Sequence, residues 1–527
     1  MAHYSVIIRG GRIIDGLGSN KPYQADIGIR DERIGDIGNL SNSRAEIEID
    51  AANKYVTPGF VDITNHSDTH WTIFDVPNQD SMLMQGITTI IGGNCGTSLA
   101  PLVTGEEIEA LKKWVDTSSI NANWQRVEEY LNQIEKNKIG VNFGTLIGLG
   151  TLRRSALRNA AKAADATEIE KMRFLFEEAM ADGAFGLSTS LGRAHEQTAS
   201  HQELITLAEV VKNYGAILKH HLRDEGQNIL PALSEIITVA RESGAKTSIS
   251  HFKILGKQAW PHFNSAIVML EQAFKNSLAL SADIFPYTRT GSDLYLLLPD
   301  WVLTGSRDNM KKNITDKATR QNIIIELAKL TLHYERMTIA RTLRDAAAVG
   351  KTIKELSEST GMAPEEAILD LLTVNDFGVS IFNEVIHQPH LDTLAKKFYV
   401  HFATDGFGLS AETKKTELAH PRSFGTMPKA LNYFVKTRRH LTWEEAIYKM
   451  TKSPADVAGI KDRGSIVKNY FADIVIFDPE TISDNSDYAN PFRYPAGITW
   501  VLVNGKAAVK DGEITGGLYG EVLRKKG

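Results

Sequence analysis

The sequence predicts an α/β fold: a TIM-like (β/α)8 barrel, a small β-sandwich built from both chain termini, and a subdomain inserted after the seventh barrel strand. Three observations lead to this prediction. Eight apolar strand-like runs alternate with amphipathic helical segments through the middle of the chain, which is typical of a parallel sheet closed on itself. Short β-branched runs punctuated by Gly and Asp lie at both ends. One connection of roughly 110 residues is far longer than an ordinary loop.

The β-sandwich is predicted from the two chain ends. Residues 4–9 and 26–29 near the start, and 472–477 and 498–503 near the end, are short apolar runs followed by turn residues. Neither end has enough helix to cover both faces of its own sheet. We therefore expect the ends to pair as one domain, residues 1–57 plus 463–527.

The barrel is predicted over residues 58–462. Amphipathic segments such as 168–180 and 202–214 separate its strands, as the outer helices of a barrel do. Its eight strand-like runs are 59–63, 88–95, 141–148, 185–190, 216–223, 246–251, 280–287 and 398–405.

The long connection, residues 288–397, is predicted to be a folded subdomain because it contains helical patterns at 353–359 and 364–372. It follows the carboxyl end of a barrel strand, where it would cover the barrel mouth. One interpretation is therefore a lid that excludes water and shapes the substrate pocket. A subunit contact or an inert elaboration is the other interpretation.

Composition excludes several classes of protein. The chain has 527 residues, 42% apolar and 23% charged, with 59 basic and 64 acidic side chains and a net charge of −5. These values are typical of a globular protein and argue against a nucleic-acid partner, which favours a basic stripe. No apolar run approaches the ~20 residues of a membrane span, and no signal peptide is recognisable. The single cysteine, Cys95, is typical of a reducing compartment. We expect a cytoplasmic protein with no membrane partner; the oligomeric state is left open.

Metal-ligating residue types follow several of the predicted strands. Strand one leads to His66, strand two to Cys95, strand five to His221, strand six to His251 and strand eight to Asp405. Barrel active sites lie at the carboxyl ends of the strands. Taken singly, a buried thiol, a hydrogen-bonded histidine or a turn aspartate is the plainer explanation. Together on one rim, they predict a site for a borderline-soft divalent ion such as zinc.

A series of motifs, in order along nearly the whole chain, is characteristic of one family. They read TPGFVD at 57–62, GNCGTSLAP at 93–101, GAFGLS at 183–188, HLRDEG at 221–226, ISHFK at 249–253, HPRSFGT at 420–426 and YPAGI at 494–498. This pattern resembles the N-acyl-D-amino-acid deacylase (D-aminoacylase) family of the amidohydrolase superfamily. The resemblance implies a zinc-dependent hydrolase that cleaves the amide of N-acyl-D-amino acids to a carboxylate and a D-amino acid, with metal-bound hydroxide as nucleophile.

The resemblance also implies roles for the residues on the rim. Cys95, His221 and His251 match the ligands of the family's tight zinc site. Asp405 matches the general base and acid, which takes a proton from the water and passes it to the leaving nitrogen. His66 matches the second histidine of the family's His-x-His motif and would act as a ligand or polarise the carbonyl.

This chain departs from the family at the first position of that motif, where Thr64 replaces histidine. A hydroxyl is a poor zinc ligand beside imidazole. We therefore expect one tight zinc and a second metal site that is weak or absent. An alternative register would use His66 with Asp68 or His70.

The expected partner is a small molecule, an N-acyl amino acid, whose free carboxylate needs a cationic partner. Lys253 lies two residues past His251, on the same face of an extended chain. Arg422 offers a bidentate fork for a carboxylate. By the resemblance, Tyr287 and, as a looser match, Ser292 join them; the plain alternative is that both charges are solvated.

Two other functions stay open. A cyclic-amide hydrolase of the dihydroorotase or hydantoinase kind would bridge two metals with a modified lysine on strand four, but residues 185–190 contain no lysine. A non-catalytic scaffold of the amidohydrolase fold is favoured by Thr64. The retention of Cys95, His221, His251 and Asp405 opposes that second alternative.

Overall fold

The computed structural model describes residues 3–113, 121–158, 160–193, 195–303, 307–330, 332–412 and 417–525. The strands among them are β1 (His3–Ile13), β2 (Tyr23–Arg30), β3 (Arg33–Gly38), β4 (Arg44–Asp50), β5 (Tyr55–Pro58), β6 (Phe60–Asp62), β7 (Ile87–Gly92), β8 (Asn142–Thr145), β9 (Ile147–Gly148), β10 (Gly186–Ser190), β11 (Ile217–His221), β12 (Lys246–Ile249), β13 (Leu280–Ile284), β14 (Arg289–Asp293), β15 (Met337–Thr342), β16 (Val379–Glu384), β17 (Val400–Phe402), β18 (Ile474–Phe477), β19 (Ile498–Val503), β20 (Lys506–Lys510) and β21 (Glu513–Ile514).

The α-helices are α1 (Thr72–Asp75), α2 (Asp80–Leu83), α3 (Val127–Asn137), α4 (Leu149–Leu157), α5 (Ala166–Ala181), α6 (His201–Asn213), α7 (Ile229–Ser243), α8 (Phe263–Lys275), α9 (Asp300–Leu303), α10 (Arg307–Thr315), α11 (Lys317–Lys329), α12 (Ile353–Thr360), α13 (Pro364–Val374), α14 (Gln388–Ala395), α15 (Arg422–Ala430), α16 (Trp443–Met450) and α17 (Lys452–Ala458). Local sequence sets several of their ends. The Asp165 side chain caps α5 by accepting the Glu168 N–H, and Gly244, with φ of 70°, ends α7. Within the described ranges, no helix is long and apolar enough to cross a bilayer.

Parallel strands in the middle of the chain form the barrel. They follow chain order, with β6, β7 and β8 in one sheet and β9 to β13 with β17 in the other. β8 and β9 are the two halves of the predicted third strand. The first and eighth strands meet through a bridge between Asn65 and Gly406, beside which the Asp405 N–H donates to the Thr64 carbonyl at 2.9 Å. The predicted βα alternation is confirmed.

Strands from both chain ends share one nine-stranded sheet, in the order β21-β20-β19-β18-β5-β1-β2-β3 with β4 beside β1. The sheet is curled. The Ile34 N–H, in the edge strand β3, donates to the carbonyl of Tyr470, which lies just before β18 in the middle of the sheet. Alternate residues of β18 have different surroundings: Ile474 belongs to the sheet's own apolar core, whereas Val475 packs with the barrel core. The period of two along a strand thus lets one sheet serve two cores.

The segment after the seventh strand is folded, as predicted. β14, β16 and β15 form a three-stranded antiparallel sheet, packed with helices α9 to α13. Its apolar core is separate from that of the barrel and includes Leu294, Ile323, Ile339, Ile368 and Ile381.

Candidate metal centre

The predicted ligands meet at the carboxyl end of the barrel. The Cys95 Sγ lies 3.3 Å from the His251 Nε2, and one potential ligand atom each of Cys95, His221 and His251 lies within 4.8 Å of the others. His66, Cys95 and Asp405 form a second group by the same measure. Cys95 therefore lies at the junction of two potential ligand sets.

Backbone conformation presents these side chains to the rim. Cys95, His251 and Asp405 have φ angles of 50°, 39° and 50°. Positive φ is uncommon for residues other than glycine and clusters at functional sites, where the surrounding structure holds the strained conformation. The residue after Cys95 is Gly96, whose φ of 72° is a backbone conformation that other residues rarely adopt.

The surroundings of Cys95 favour its thiolate. Burial raises the pKa of the Cys95 thiol, but the positive charge of His251 and the nearby imidazoles of His221 and His66 lower it more. The net pKa is well below the ordinary value. Since the thiolate is the form that ligates metals, the side chain is prepared for that role.

Asp405 is held between a histidine and an arginine. Its Oδ1 lies 3.0 Å from the His66 Nε2, and its Oδ2 lies 2.6 Å from an Arg422 terminal nitrogen. Burial raises the pKa of Asp405, but Arg422, His251 and His66 lower it well below its usual range. Burial lowers the pKa of His66, but Asp405 and Cys95 outweigh burial and raise it to about 9. Asp405 is thus an ionised acceptor.

Glu225 was not predicted as a site residue, although it lies within the HLRDEG motif, four residues after His221. Its Oε1 accepts from Lys253 at 2.7 Å and lies 3.2 Å from the His251 Nδ1, while its Oε2 lies 3.6 Å from the His221 Nε2. A carboxylate behind a histidine ligand orients the ring and raises its basicity. Glu225 stands behind both histidines of the group.

The four residues predicted to bind the substrate carboxylate differ in burial and in their distance from the cavity. Lys253 is only 7% exposed, and the Arg422 side chain only 12%, so neither is a solvated surface charge. Ser292 lines the cavity at the barrel mouth. Tyr287 is buried next to His420, with ring centroids 5.3 Å apart, and its hydroxyl donates to the Pro421 carbonyl.

The alternative register is not supported by the positions of its residues. Asp68 is fully buried and its Oδ2 accepts the Gly93 N–H at 2.6 Å. The His70 ring stacks on Phe407 with centroids 3.8 Å apart. Among the described residues, neither belongs to a potential ligand group. Thr64 is also buried, and its hydroxyl donates to Asp283 at 2.8 Å.

A cavity of about 1610 Å³ opens above these residues. Its walls include His66, Cys95 and Asp405 from the barrel, and Leu297 and Phe382 from the inserted subdomain. The insertion therefore forms one side of the space in which a small molecule would meet the rim.

The first ligand group suits a borderline-soft divalent ion. It offers one sulfur and two imidazoles, the donor types that zinc takes in proteins. The His221 Nδ1 is buried and has no hydrogen-bond partner within the described part of the chain. A ring nitrogen left unsatisfied in the interior is costly unless a ligand or ion pairs with it. The residues therefore fit a metal.

Comparison with known proteins identifies the family. Residues 48–249 and residues 385–508 each match a model of the amidohydrolase family. The chain belongs to the amidohydrolase family. This amidohydrolase is 29% identical to the D-aminoacylase of Alcaligenes xylosoxydans xylosoxydans over 523 residues, which covers 99% of this chain and 98% of the relative. The resemblance seen in the motifs is thereby confirmed.

Solved structures agree with the sequence relatives. The amidohydrolase superimposes with a TM-score of 0.84 and 26% identity on the N-acyl-D-glutamate deacylase from Bordetella bronchiseptica complexed with zinc and a phosphonate inhibitor, covering 99% of this chain and 100% of that chain. A D-aminoacylase structure concerned with a binuclear metal centre, described as one-metal activation and second-metal attenuation, gives a TM-score of 0.84 at 28% identity with the same coverage.

Proposed function

We propose that this amidohydrolase is a zinc-dependent hydrolase that cleaves the amide of N-acyl-D-amino acids to a carboxylate and a D-amino acid. The observation that carries the proposal is the meeting of Cys95, His221 and His251 beside Asp405 at the head of the cavity. The relatives named D-aminoacylase and N-acyl-D-glutamate deacylase support the substrate class and the preference for the D form.

The chemistry divides between the metal and the protein. A bound zinc ion lowers the pKa of water and polarises a carbonyl group. Asp405, kept ionised by Arg422, accepts the proton of the attacking water and delivers it to the leaving nitrogen. His66 holds Asp405 through its 3.0 Å contact and is near enough to the rim to stabilise negative charge that develops on the carbonyl oxygen.

Arg422 and Lys253 are proposed to hold the free carboxylate of the substrate, with Ser292 at the cavity wall and Tyr287 packed behind. Both cations are buried beside the ligands, where water screens charge poorly. Arg422 and Lys253 already pair with Asp405 and Glu225, and the substrate carboxylate would share these cations, whereas an uncharged amide or ester would gain no such attraction. We therefore expect free N-acyl amino acids to be hydrolysed faster than their amides or esters.

The proposal extends to the organisation of the chain. Residues 1–57 plus 463–527 form the β-sandwich domain and residues 58–462 the catalytic barrel, with 288–397 as the inserted lid. The cavity wall contributed by Leu297 and Phe382 supports the lid. A thiolate ligand must stay reduced, which favours a cytoplasmic location.

The two alternative functions, a cyclic-amide hydrolase and a non-catalytic scaffold, have less support. β10 has the sequence GLSTS, so strand four supplies no lysine to bridge two metals as a cyclic-amide hydrolase would require. A scaffold without catalysis has no need for a thiol whose pKa is strongly lowered by three imidazoles.

An activity panel combined with metal analysis tests the proposed function. We expect the zinc-loaded protein to release amino acid from N-acetyl-D-amino acids and not from their L-enantiomers. Turnover of a hydantoin, or no turnover of any amide, would overturn the proposal.

The sole cysteine provides a direct test of the ligand assignment. With zinc bound, Cys95 should resist a thiol reagent, and removal of zinc by a chelator should expose it to reaction and abolish activity. Cys95→Ser should lose most of its zinc at unchanged helix content. Equal thiol reactivity before and after chelation would contradict the assignment.

A further inference from the structure

A buried positive charge lies directly beneath the second ligand group. Lys219 is 1% exposed, in the middle of β11, and its ammonium donates to the Ile63 carbonyl at 2.9 Å and to the Asp283 Oδ2 at 2.9 Å. It also donates to the Thr64 hydroxyl. Lys219 precedes His221 by two residues, as Thr64 precedes His66. Because side chains of a strand repeat every two residues, this pair lies one layer below the two histidines.

We propose that the Lys219 ammonium is a built-in cation that closes the second metal subsite. The chain then binds one divalent ion, at Cys95, His221 and His251, and keeps His66 and Asp405 free of metal. This inference rests on the proposed function, in which Asp405 handles the proton.

The Thr64 hydroxyl is already engaged by two neighbours below the second metal subsite. Its hydroxyl donates to Asp283 and accepts from Lys219, so both interactions of the oxygen are directed into the layer below. His66, Cys95 and Asp405 are close enough to hold an ion. Residue 64, however, adds no ligand. The second group therefore has only three ligand atoms, and one of them, the Cys95 sulfur, is shared with the first site.

The charges around the second subsite also disfavour a second metal ion. The subsite has the Lys219 ammonium below it, and Arg422 on the Asp405 Oδ2 at 2.6 Å. A second divalent ion would be repelled by both cations in a buried region. Asp283 is already paired with Lys219 and Asp405 with Arg422, so neither carboxylate is free to neutralise the new charge. The ion would also have to displace Arg422 from Asp405.

Asp283 holds the cation in place. Its Oδ2 pairs with Lys219, and its Oδ1 accepts the His251 N–H at 2.7 Å. The ion pair is thus joined to the backbone of a ligand of the first site. Moving Lys219 away would leave the buried Asp283 charge uncompensated, and this cost keeps the ammonium in place.

Metal stoichiometry tests the inference independently of activity. The protein is dialysed against excess buffered zinc, and the zinc content per chain is measured by elemental analysis. We expect one ion for the wild type and two for the double variant Thr64→His with Lys219→Ala. In that variant the new imidazole supplies a ligand and can donate to Asp283. Lys449→Met is the control, since it removes another buried ammonium, bonded to the Val400 carbonyl at the opposite end of a barrel strand; it should bind one zinc.

The outcomes separate the inference from the proposed function. Two zinc ions per wild-type chain, by dialysis or as two anomalous-scattering peaks in crystals, would overturn the inference even if the double variant failed to fold. A folded double variant that binds only one zinc would also overturn it. One zinc per chain without deacylase activity would support the inference while overturning the proposed function. Two zinc ions per chain together with D-selective turnover would support the proposed function and overturn the inference.

Discussion

At the scale of single residues, the rim depends on carboxylates that each contact more than one neighbouring side chain. Glu225 contacts both His251 and Lys253, and Asp405 contacts both His66 and Arg422. In a buried, low-dielectric setting such shared contacts reinforce one another, and the loss of one partner exposes the charge of the other. The residues of this rim therefore act as a unit, and substitutions should affect more than one step.

Replacing Asp405 by Asn should lower kcat by about 10³-fold, since a carboxamide cannot accept the proton of the attacking water. Zinc content should stay at the wild-type level, because the first ligand group is intact. Steady-state kinetics and elemental analysis measure the two quantities. Asp182→Asn, at the ion pair with Arg126 just past the end of α5, is the matched control and should retain full activity. A kcat for Asp405→Asn within a factor of three of wild type would exclude the proposed role.

Arg422→Lys should raise KM for N-acyl-D-amino acids by about 10-fold or more, because an ammonium is a single point charge and cannot form a bidentate pair with a carboxylate. We also expect kcat to fall, since Arg422 holds Asp405 at 2.6 Å. A series of substrate concentrations separates the two effects. An unchanged KM would show that the substrate carboxylate binds elsewhere.

At the scale of elements, the inserted subdomain combines its own core with a share of the cavity wall. The sheet of β14, β15 and β16 is stabilised by apolar residues that pack within the insertion. Leu297 and Phe382 nevertheless face the cavity. A unit that folds around its own core can vary its cavity-facing positions without disturbing the metal ligands.

Enlarging the Leu297 side chain tests the contribution of this wall. Leu297→Trp should narrow the cavity and change the ratio of kcat/KM between long and short acyl chains by about 10-fold, as expected when a pocket loses the volume of several methylene groups. Ile325→Trp is the matched control, because Ile325 is 47% exposed on α11 of the same subdomain. If both variants rank the substrates as the wild type does, the insertion does not shape specificity.

At the scale of the whole molecule, the barrel strands carry buried histidines that are not part of the rim. Burial lowers the pKa of His220 and of His401 to about 3 each; for His401, Asp283 opposes that effect, while Lys219 and Lys449 add to it. Between pH 6.5 and 3 the unfolded chain therefore binds more protons than the folded one. The contribution of these two histidines to the free energy of unfolding therefore falls as the pH decreases through this window.

We expect each of these histidines to cost roughly 1.4 kcal/mol of stability at pH 5.5 relative to neutral pH. Urea unfolding of the chelated protein at pH 7.5, 6.5 and 5.5 measures the effect without a contribution from metal release. His401→Asn should reduce the slope with pH, whereas His333→Asn, an exposed position in the insertion, should not. Identical slopes for wild type and His401→Asn would contradict the expectation.

Much of the fold could be predicted because its signals are local. The run 88–95 anticipates β7, Ile87–Gly92, in which every residue is buried, as expected of a strand covered on both faces. The positions of Cys95 and Asp405 just past their strands follow from the same pattern. Glu225 was missed, since a glutamate after a strand looks like any loop acid until the two histidines are seen in front of it.

The order of polar and apolar residues along this chain was enough to determine the barrel, the paired termini, the inserted subdomain and the rim where the thiol, the imidazoles and Asp405 gather. Only the tertiary structure decided what lies beneath that rim. Lys219 meets Asp283 across 64 residues of sequence and Thr64 across 155. Contacts of that span depend on how eight strands close and stagger, and short-range sequence patterns carry no information about that closure.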